Sequence, residues 1–177
     1  MSKPGYEYLI TYQNSVEIYD LTVQFCEKFL PGRENLRNRE QMIQAARSSK
    51  QCIPEGYLQK SLKGYIKLLG VTRGSYEELL KDFEDFARTR GLKILPKWDN
   101  WEKGVKRDEF GKHLLPLDPL NPLTPFIPLN YLANLVRRTN YLLDQQTKSL
   151  EEKFAREGGY TEKLFHQRLD YRNQKHI

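Results

Sequence analysis

The chain predicts an all-α fold: an antiparallel up-down-up-down four-helix bundle with a proline-rich insertion between its third and fourth helices and a short C-terminal helix. Three observations predict it. Apolar and small residues recur at alternating steps of three and four in four separate stretches, the spacing that lines one side of a helix. Helix-ending signals, Pro31-Gly32, Gly91 and Gly158-Gly159, close three of those stretches. No stretch has the alternation of a strand-rich sheet, whereas six prolines crowd residues 92 to 128. With 177 residues, 38% hydrophobic and 29% charged, the chain suffices for one core and is short for two, so one domain with additions is expected over 1 to 177.

The first helix is expected over 11 to 30. Tyr12, Val16, Tyr19, Val23, Cys26 and Leu30 form one stripe and Ile18, Leu21, Phe25 and Phe29 a second beside it, so this helix touches more than one partner. Pro31 disfavours helix in the residue before it, and Gly32 permits the turn. The second helix, 38 to 60, starts at a capping-box pattern of Asn38 and Gln41 and lines one side with Met42, Ala46, Ser49, Ile53 and Gly56. Pro54 removes one backbone hydrogen bond, at a cost of about 3 kcal/mol unless the helix bends; a kink or an earlier helix end is expected there. The third helix, 61 to 90, carries Tyr65, Leu69, Thr72, Tyr76, Leu79 and Phe83, widened by Ile66, Leu80 and Phe86. No strong breaker separates it from the second. Gly70 and Gly74 each cost up to about 1 kcal/mol relative to Ala, for which close helix approach is the expected compensation.

Residues 92 to 128 exceed the roughly 2 to 8 residues usual between bundle helices. They read as an insertion laid over the bundle through Trp98, Trp101, Phe110 and Phe126. The fourth helix, 129 to 156, begins after Pro128 and carries Leu132, Leu135, Val136, Leu142, Leu143, Leu150 and Phe154. In the extension 158 to 177, Thr161 is placed to cap a short helix, with Tyr160 and Phe165 as a hydrophobic staple.

The charge is lopsided. Residues 33 to 73 hold nine Lys or Arg and three Glu, a net of +6 that equals the formal charge of the whole chain. Together with a pI near 9.2 this favours an anionic partner. The opening MSKPGYEYLI reads as neither signal peptide nor anchor, and no apolar run approaches the roughly 20 residues of a membrane span. A soluble, cytoplasmic protein without a membrane partner is expected. Cys26 and Cys52, far apart and outside any Cys-x-x-Cys pair, are expected as reduced thiols, buried or half-buried.

No catalytic or metal motif is present. A carboxylate-bridged metal in a bundle needs Glu-x-x-His, and neither His113, His166 nor His176 has Glu three residues before it. The acidic cluster Glu77, Glu78, Asp82, Glu84 and Asp85 reads as a solvated face, with Glu77 and Lys81 spaced as a surface pair. Phosphate loops, nucleophile elbows and HExxH are absent. A non-enzyme without cofactor or metal is expected.

Lys60, Lys63 and Lys67 would share one face if helical, with Tyr57 beginning the row and Arg47 and Lys50 preceding it. Lysine rows track a phosphate backbone without reading bases, and an exposed Tyr stacks on an unpaired base. Such a row is equally the ordinary solvated side of an amphipathic helix.

Gln41-Met42, Ala45-Ala46-Arg47-Ser48, Ile53 followed by Glu55-Gly56, and Arg73-Gly74-Ser75 with Glu78-Leu79 resemble the signature of a four-helix bundle family. It includes the protein encoded in intervening sequences of bacterial 23S ribosomal RNA genes and the accessory variability protein of diversity-generating retroelements. The resemblance covers residues 10 to 90 and, more weakly, 128 to 156. One departure is Cys52-Ile53-Pro54-Glu55-Gly56, where the family usually has Asn-Ile-Ala-Glu-Gly. The resemblance implies a homopentameric barrel with a basic surface that, in the retroelement branch, associates with a reverse transcriptase and with nucleic acid, RNA or DNA. The matching positions are Arg47, Glu55, Gly56, Arg73, Gly74 and Glu78, of which Gly56 and Gly74 read as packing positions. The candidate nucleic-acid-binding residues are thus Arg47, Lys50, Tyr57, Lys60, Lys63, Lys67 and Arg73. The alternative is a protein-protein adaptor that docks an enzyme, its insertion being the docking element.

Overall fold

The computed structural model describes residues 3 to 96, 106 to 118 and 120 to 174, so the expected packing of Trp98 and Trp101 lies outside the described residues. A short 3-10 turn, Gly5–Tyr8, precedes α1 (Ile10–Phe29), α2 (Leu36–Tyr57), α3 (Leu62–Thr89), α4 (Phe126–Glu157) and α5 (Tyr160–Gln174). The first four pack as a ring of neighbours, α1 on α2, α2 on α3, α3 on α4 and α4 on α1, and no strand forms among the described residues.

The stripes become the core. Ile18, Leu21 and Phe25 of α1, Met42, Ala46 and Ile53 of α2, Leu69, Tyr76, Leu79 and Phe83 of α3, and Leu132, Val136 and Leu143 of α4 are all buried. In α1 the second stripe takes the centre, while Tyr12, Val16, Tyr19 and Val23 stay half-buried at the flank. Phe25 meets Phe83 and Phe86 edge-on, with ring centroids 5.4 and 4.9 Å apart, a geometry that aromatic quadrupoles favour. Cys26 is buried with its Sγ 3.9 Å from Met42 Sδ. Desolvation pushes its thiol up to about 12, so it packs as a neutral small hydrophobe. Both cysteines are free.

Several helix ends differ from expectation. Helix α2 starts at Leu36, which puts Asn38 inside it; the N-cap is Asn35, whose amide donates to the Pro31 carbonyl at 2.7 Å rather than capping the helix. At its other end α2 runs through Pro54, which lies inside it, and stops at Tyr57, three residues before expectation. Helix α4 starts at Phe126, three residues before expectation, so Pro128 occupies its first turn, where an amide has no intrahelical partner to lose. Thr161 does not cap α5: the helix already includes Tyr160, and the Glu162 carboxylate instead accepts from Gly159 N at 2.7 Å. Tyr160 and Phe165 both lie exposed within that helix and form no staple.

Gly91 does stop α3. Its φ of +64° suits glycine, and the Leu92 amide reaches back to the Ala87 carbonyl at 2.9 Å, the bond that closes a Schellman end. The chain leaving α3 is then tied to α4 by the buried Asn130. Its Oδ1 accepts from Leu95 N at 2.7 Å, and its amide donates to the Phe126 and Lys93 carbonyls at 2.9 and 3.3 Å, which compensates the burial of this polar side chain.

Candidate nucleic-acid interface

The α2–α3 turn places the basic residues. Leu58 N donates to the Pro54 carbonyl at 3.0 Å and Gln59 N to the Gly56 carbonyl at 3.1 Å, ending α2, while Ser61 Oγ accepts from Gly64 N at 3.1 Å and caps α3. Lys60 therefore sits in the turn, not on a helix. The expected row of Tyr57, Lys60, Lys63 and Lys67 is divided among the end of α2, the turn and the first turns of α3. What unites these residues is one end of the bundle.

Arg47, Lys60, Lys63 and Lys67 are exposed, and none has a carboxylate at ion-pair distance among the described residues. Lys50 is half-buried with its Nζ 3.8 Å from the Tyr19 ring centroid, a cation–π contact between α2 and α1. Arg73 is committed elsewhere: Nη1 reaches Glu77 Oε2 at 2.8 Å and Nε reaches Asp144 Oδ1 at 3.2 Å. The Glu77 hydrogen bond, aided by Asp144, raises its pKa further. Arg73 thus joins α3 to α4, and its positive charge is already matched by two carboxylates.

The glycines of the signature separate. Gly56 is buried, and a Cβ there would lie 2.6 Å from Tyr65 Cδ2 and 3.2 Å from Leu68 Cβ, so α2 and α3 meet closely at it. Gly70 and Gly74 are exposed with nothing within 4 Å of a built Cβ, which corrects the expectation that they pack. Glu55 and Glu78 are exposed. In the acidic cluster Lys81 pairs with Glu84 at 2.8 Å and not with Glu77 as its spacing suggested, while Glu77 pairs with Arg73. Asp82 is half-buried, and burial, with Asp85 and Glu78 nearby, raises its pKa.

Beside the lysines stands a group of tyrosines that spacing does not reveal. Tyr57 is flanked edge-on by Tyr6 at 6.1 Å and Tyr65 at 6.0 Å, and Tyr6 meets Tyr12 edge-on at 5.0 Å. Gly5 permits this approach, since a Cβ there would lie 2.3 Å from Tyr57 Oη. Behind them Tyr65 is buried, its hydroxyl accepting from Gln146 Nε2 at 2.6 Å while Gln146 Oε1 accepts from Thr11 at 2.9 Å. Desolvation raises the pKa of both Tyr65 and Tyr12. Tyr57 remains 42% exposed, Tyr8 65% and Leu58 70%.

A second polar cluster holds the α3–α4 connection. His113 is 5% exposed; its Nδ1 lies 3.0 Å from Asp20 Oδ2 and its Nε2 3.8 Å from Glu17 Oε2. Tyr131 Oη of α4 donates to the other oxygen of Glu17, and Gln24 donates to the His113 carbonyl at 2.6 Å and accepts from Leu115 N at 3.0 Å. The two carboxylates flank opposite sides of the imidazole and do not converge on one point. Phe110, expected to pack on the bundle, is 87% exposed, and His113, Leu115 and Ile94 make the attachment instead.

Fold and site define an all-helical bundle with exposed lysines and a cluster of tyrosines at one end; no described helix is long and apolar enough to cross a membrane. Comparison with protein families, curated proteins and solved structures finds no match to this chain.

Proposed function

We propose that this chain is a non-catalytic, oligomeric accessory protein that binds nucleic acid through the basic end of its bundle. The observation that carries this is the concentration of the whole net charge of +6 in residues 33 to 73, with Lys60, Lys63 and Lys67 exposed at one end and unmatched by carboxylates among the described residues. Lysines so placed can release counterions from a phosphate backbone. The resemblance to the intervening-sequence and retroelement accessory proteins supports the same function. It extends the proposal to a homopentamer, cytoplasmic, that serves a reverse transcriptase. The bundle itself is proposed to run antiparallel, up-down-up-down. Pairs such as Thr11 with Gln146, Asn14 with Thr139 and Glu17 with Tyr131 support this, because residue numbers fall along α4 as they rise along α1. The connection between α3 and α4 is proposed to be an insertion into that bundle.

Charge reversal at Lys60, Lys63 and Lys67 tests the function. RNA and DNA binding across a salt series is expected to weaken with a slope of about 3 neutralised phosphates in the native protein, and the slope is expected to shrink in the folded variant. Unchanged affinity would remove the basic end from the proposal. The adaptor remains the second reading, favoured by Phe110, Leu120 and Leu123, which are 87%, 95% and 80% exposed on the connection. Absence of binding to any nucleic acid at low salt would leave the adaptor as the better account.

A further inference from the structure

We infer that the tyrosine-rich end of the bundle selects single-stranded nucleic acid, its unpaired bases stacking on Tyr57 and Tyr8 while Lys60 and Lys63 hold the phosphates. This rests on the nucleic-acid function proposed above and names the ligand class that site takes.

Tyr57 at the end of α2 and Leu58 in the α2–α3 turn are exposed side by side, and Tyr8 is exposed in the same 3-10 turn whose Gly5 and Tyr6 approach Tyr57. Exposed apolar side chains that stand together, rather than singly, mark interaction surfaces. Tyr57 is also ordered in advance: Tyr6 and Tyr65 meet it edge-on at 6.1 and 6.0 Å, and Gly5 closes on its hydroxyl end. Little side-chain freedom is therefore left for binding to remove.

The charge around the rings has the sign a nucleic-acid strand needs. Lys60 follows Tyr57 by three residues and Lys63 lies in the first turn of α3, both exposed and without carboxylate partners among the described residues. Glu7 and Glu55 are the opposing charges nearby in sequence, and Glu7 is partly offset by Lys3 at 3.9 Å. Every unpaired base offers a π-face to an aromatic ring, whereas a duplex keeps its base faces stacked inside and offers none to a ring. Lysines by themselves would not distinguish the two; the rings would.

The test compares labelled oligouridine and oligothymidine single strands with mixed-sequence RNA and DNA duplexes of equal length, using Tyr8→Ala, Tyr57→Leu, Tyr57→Phe and a Lys60→Glu, Lys63→Glu double variant. Expected results are tighter single-strand than duplex binding by the native protein, a loss of about fivefold or more in single-strand affinity for Tyr8→Ala and Tyr57→Leu, near-native binding by Tyr57→Phe, and unchanged duplex binding by all tyrosine variants. If Tyr57→Leu loses helical content, Tyr8→Ala decides. Native binding no tighter to single strands than to duplexes would overturn the inference. So would tyrosine variants that bind single strands as the native protein does while the lysine variant weakens both ligands, and that outcome leaves the nucleic-acid function standing. No binding of any strand by the folded native protein would overturn both.

Discussion

Gly56, Gly70 and Gly74 are all helical, yet substitution should move stability in opposite directions. At Gly56 an added methyl meets the Tyr65 ring at 2.6 Å, so Gly56→Ala is expected to destabilise by about 1 to 3 kcal/mol despite the better helix propensity of Ala. At Gly70 and Gly74 the space is open, and Ala should stabilise by about 0.5 to 1 kcal/mol each. Urea unfolding of the three single variants checks this, and a stabilising Gly56→Ala would mean that α2 and α3 are not in close contact there. Periodicity put Gly56 on the apolar side of α2 and left Gly70 and Gly74 off that of α3, but it says nothing of how closely the residue opposite approaches. Arg73 shows the same limit. Its place in the motif suggested a ligand contact, but Glu77 one turn along α3 and Asp144 on α4 take its guanidinium.

At the scale of elements, the four helices were legible because each buries a continuous stripe, and Met42 to Gly56 and Tyr65 to Phe83 are buried as their spacing requires. The ends were less legible. A helix end depends on single hydrogen bonds, such as Ser61 Oγ with Gly64 N at 3.1 Å, that several neighbouring residues could equally have supplied. The connection between α3 and α4 was read as lying on the bundle through its aromatic residues, whereas its described part is held by His113 between Asp20 and Glu17. Nothing in a lone histidine 93 residues from its partner signals this. His113→Ala is expected to destabilise the protein by about 1 to 3 kcal/mol, since two half-buried carboxylates lose their partner. Hydrogen exchange across residues 106 to 115 should quicken while that of α2 and α3 changes little. Protection that stays at its native level would show that Leu115 and the Gln24 bonds suffice to hold the connection.

Over the whole molecule, the bundle and α5 stand in contrast. The four bundle helices share one core, but none of the described side chains of α5 is buried, and Leu164, Phe165 and Tyr171 are 45%, 59% and 64% exposed. Ending the chain at Gly158 is therefore expected to move the thermal midpoint by no more than about 2 °C. Circular dichroism should lose only the signal of the fifteen residues of α5. A larger drop in midpoint would mean that α5 packs against another copy of the chain in solution, which sedimentation of the two lengths would then reveal.

By itself the sequence determined the helical class, the buried side of each bundle helix and the segment that carries the net charge. All three follow from local spacing and composition, because burial on a helix repeats every three to four residues wherever the partner lies. Only the tertiary structure decided which residues from distant segments meet. It brought Tyr6 and Tyr57 to 6.1 Å, set His113 against Asp20 at 3.0 Å, and placed Arg73 beside Asp144 at 3.2 Å. The physical reason is that such contacts depend on the packing of whole helices against one another, which no periodicity within a single helix encodes.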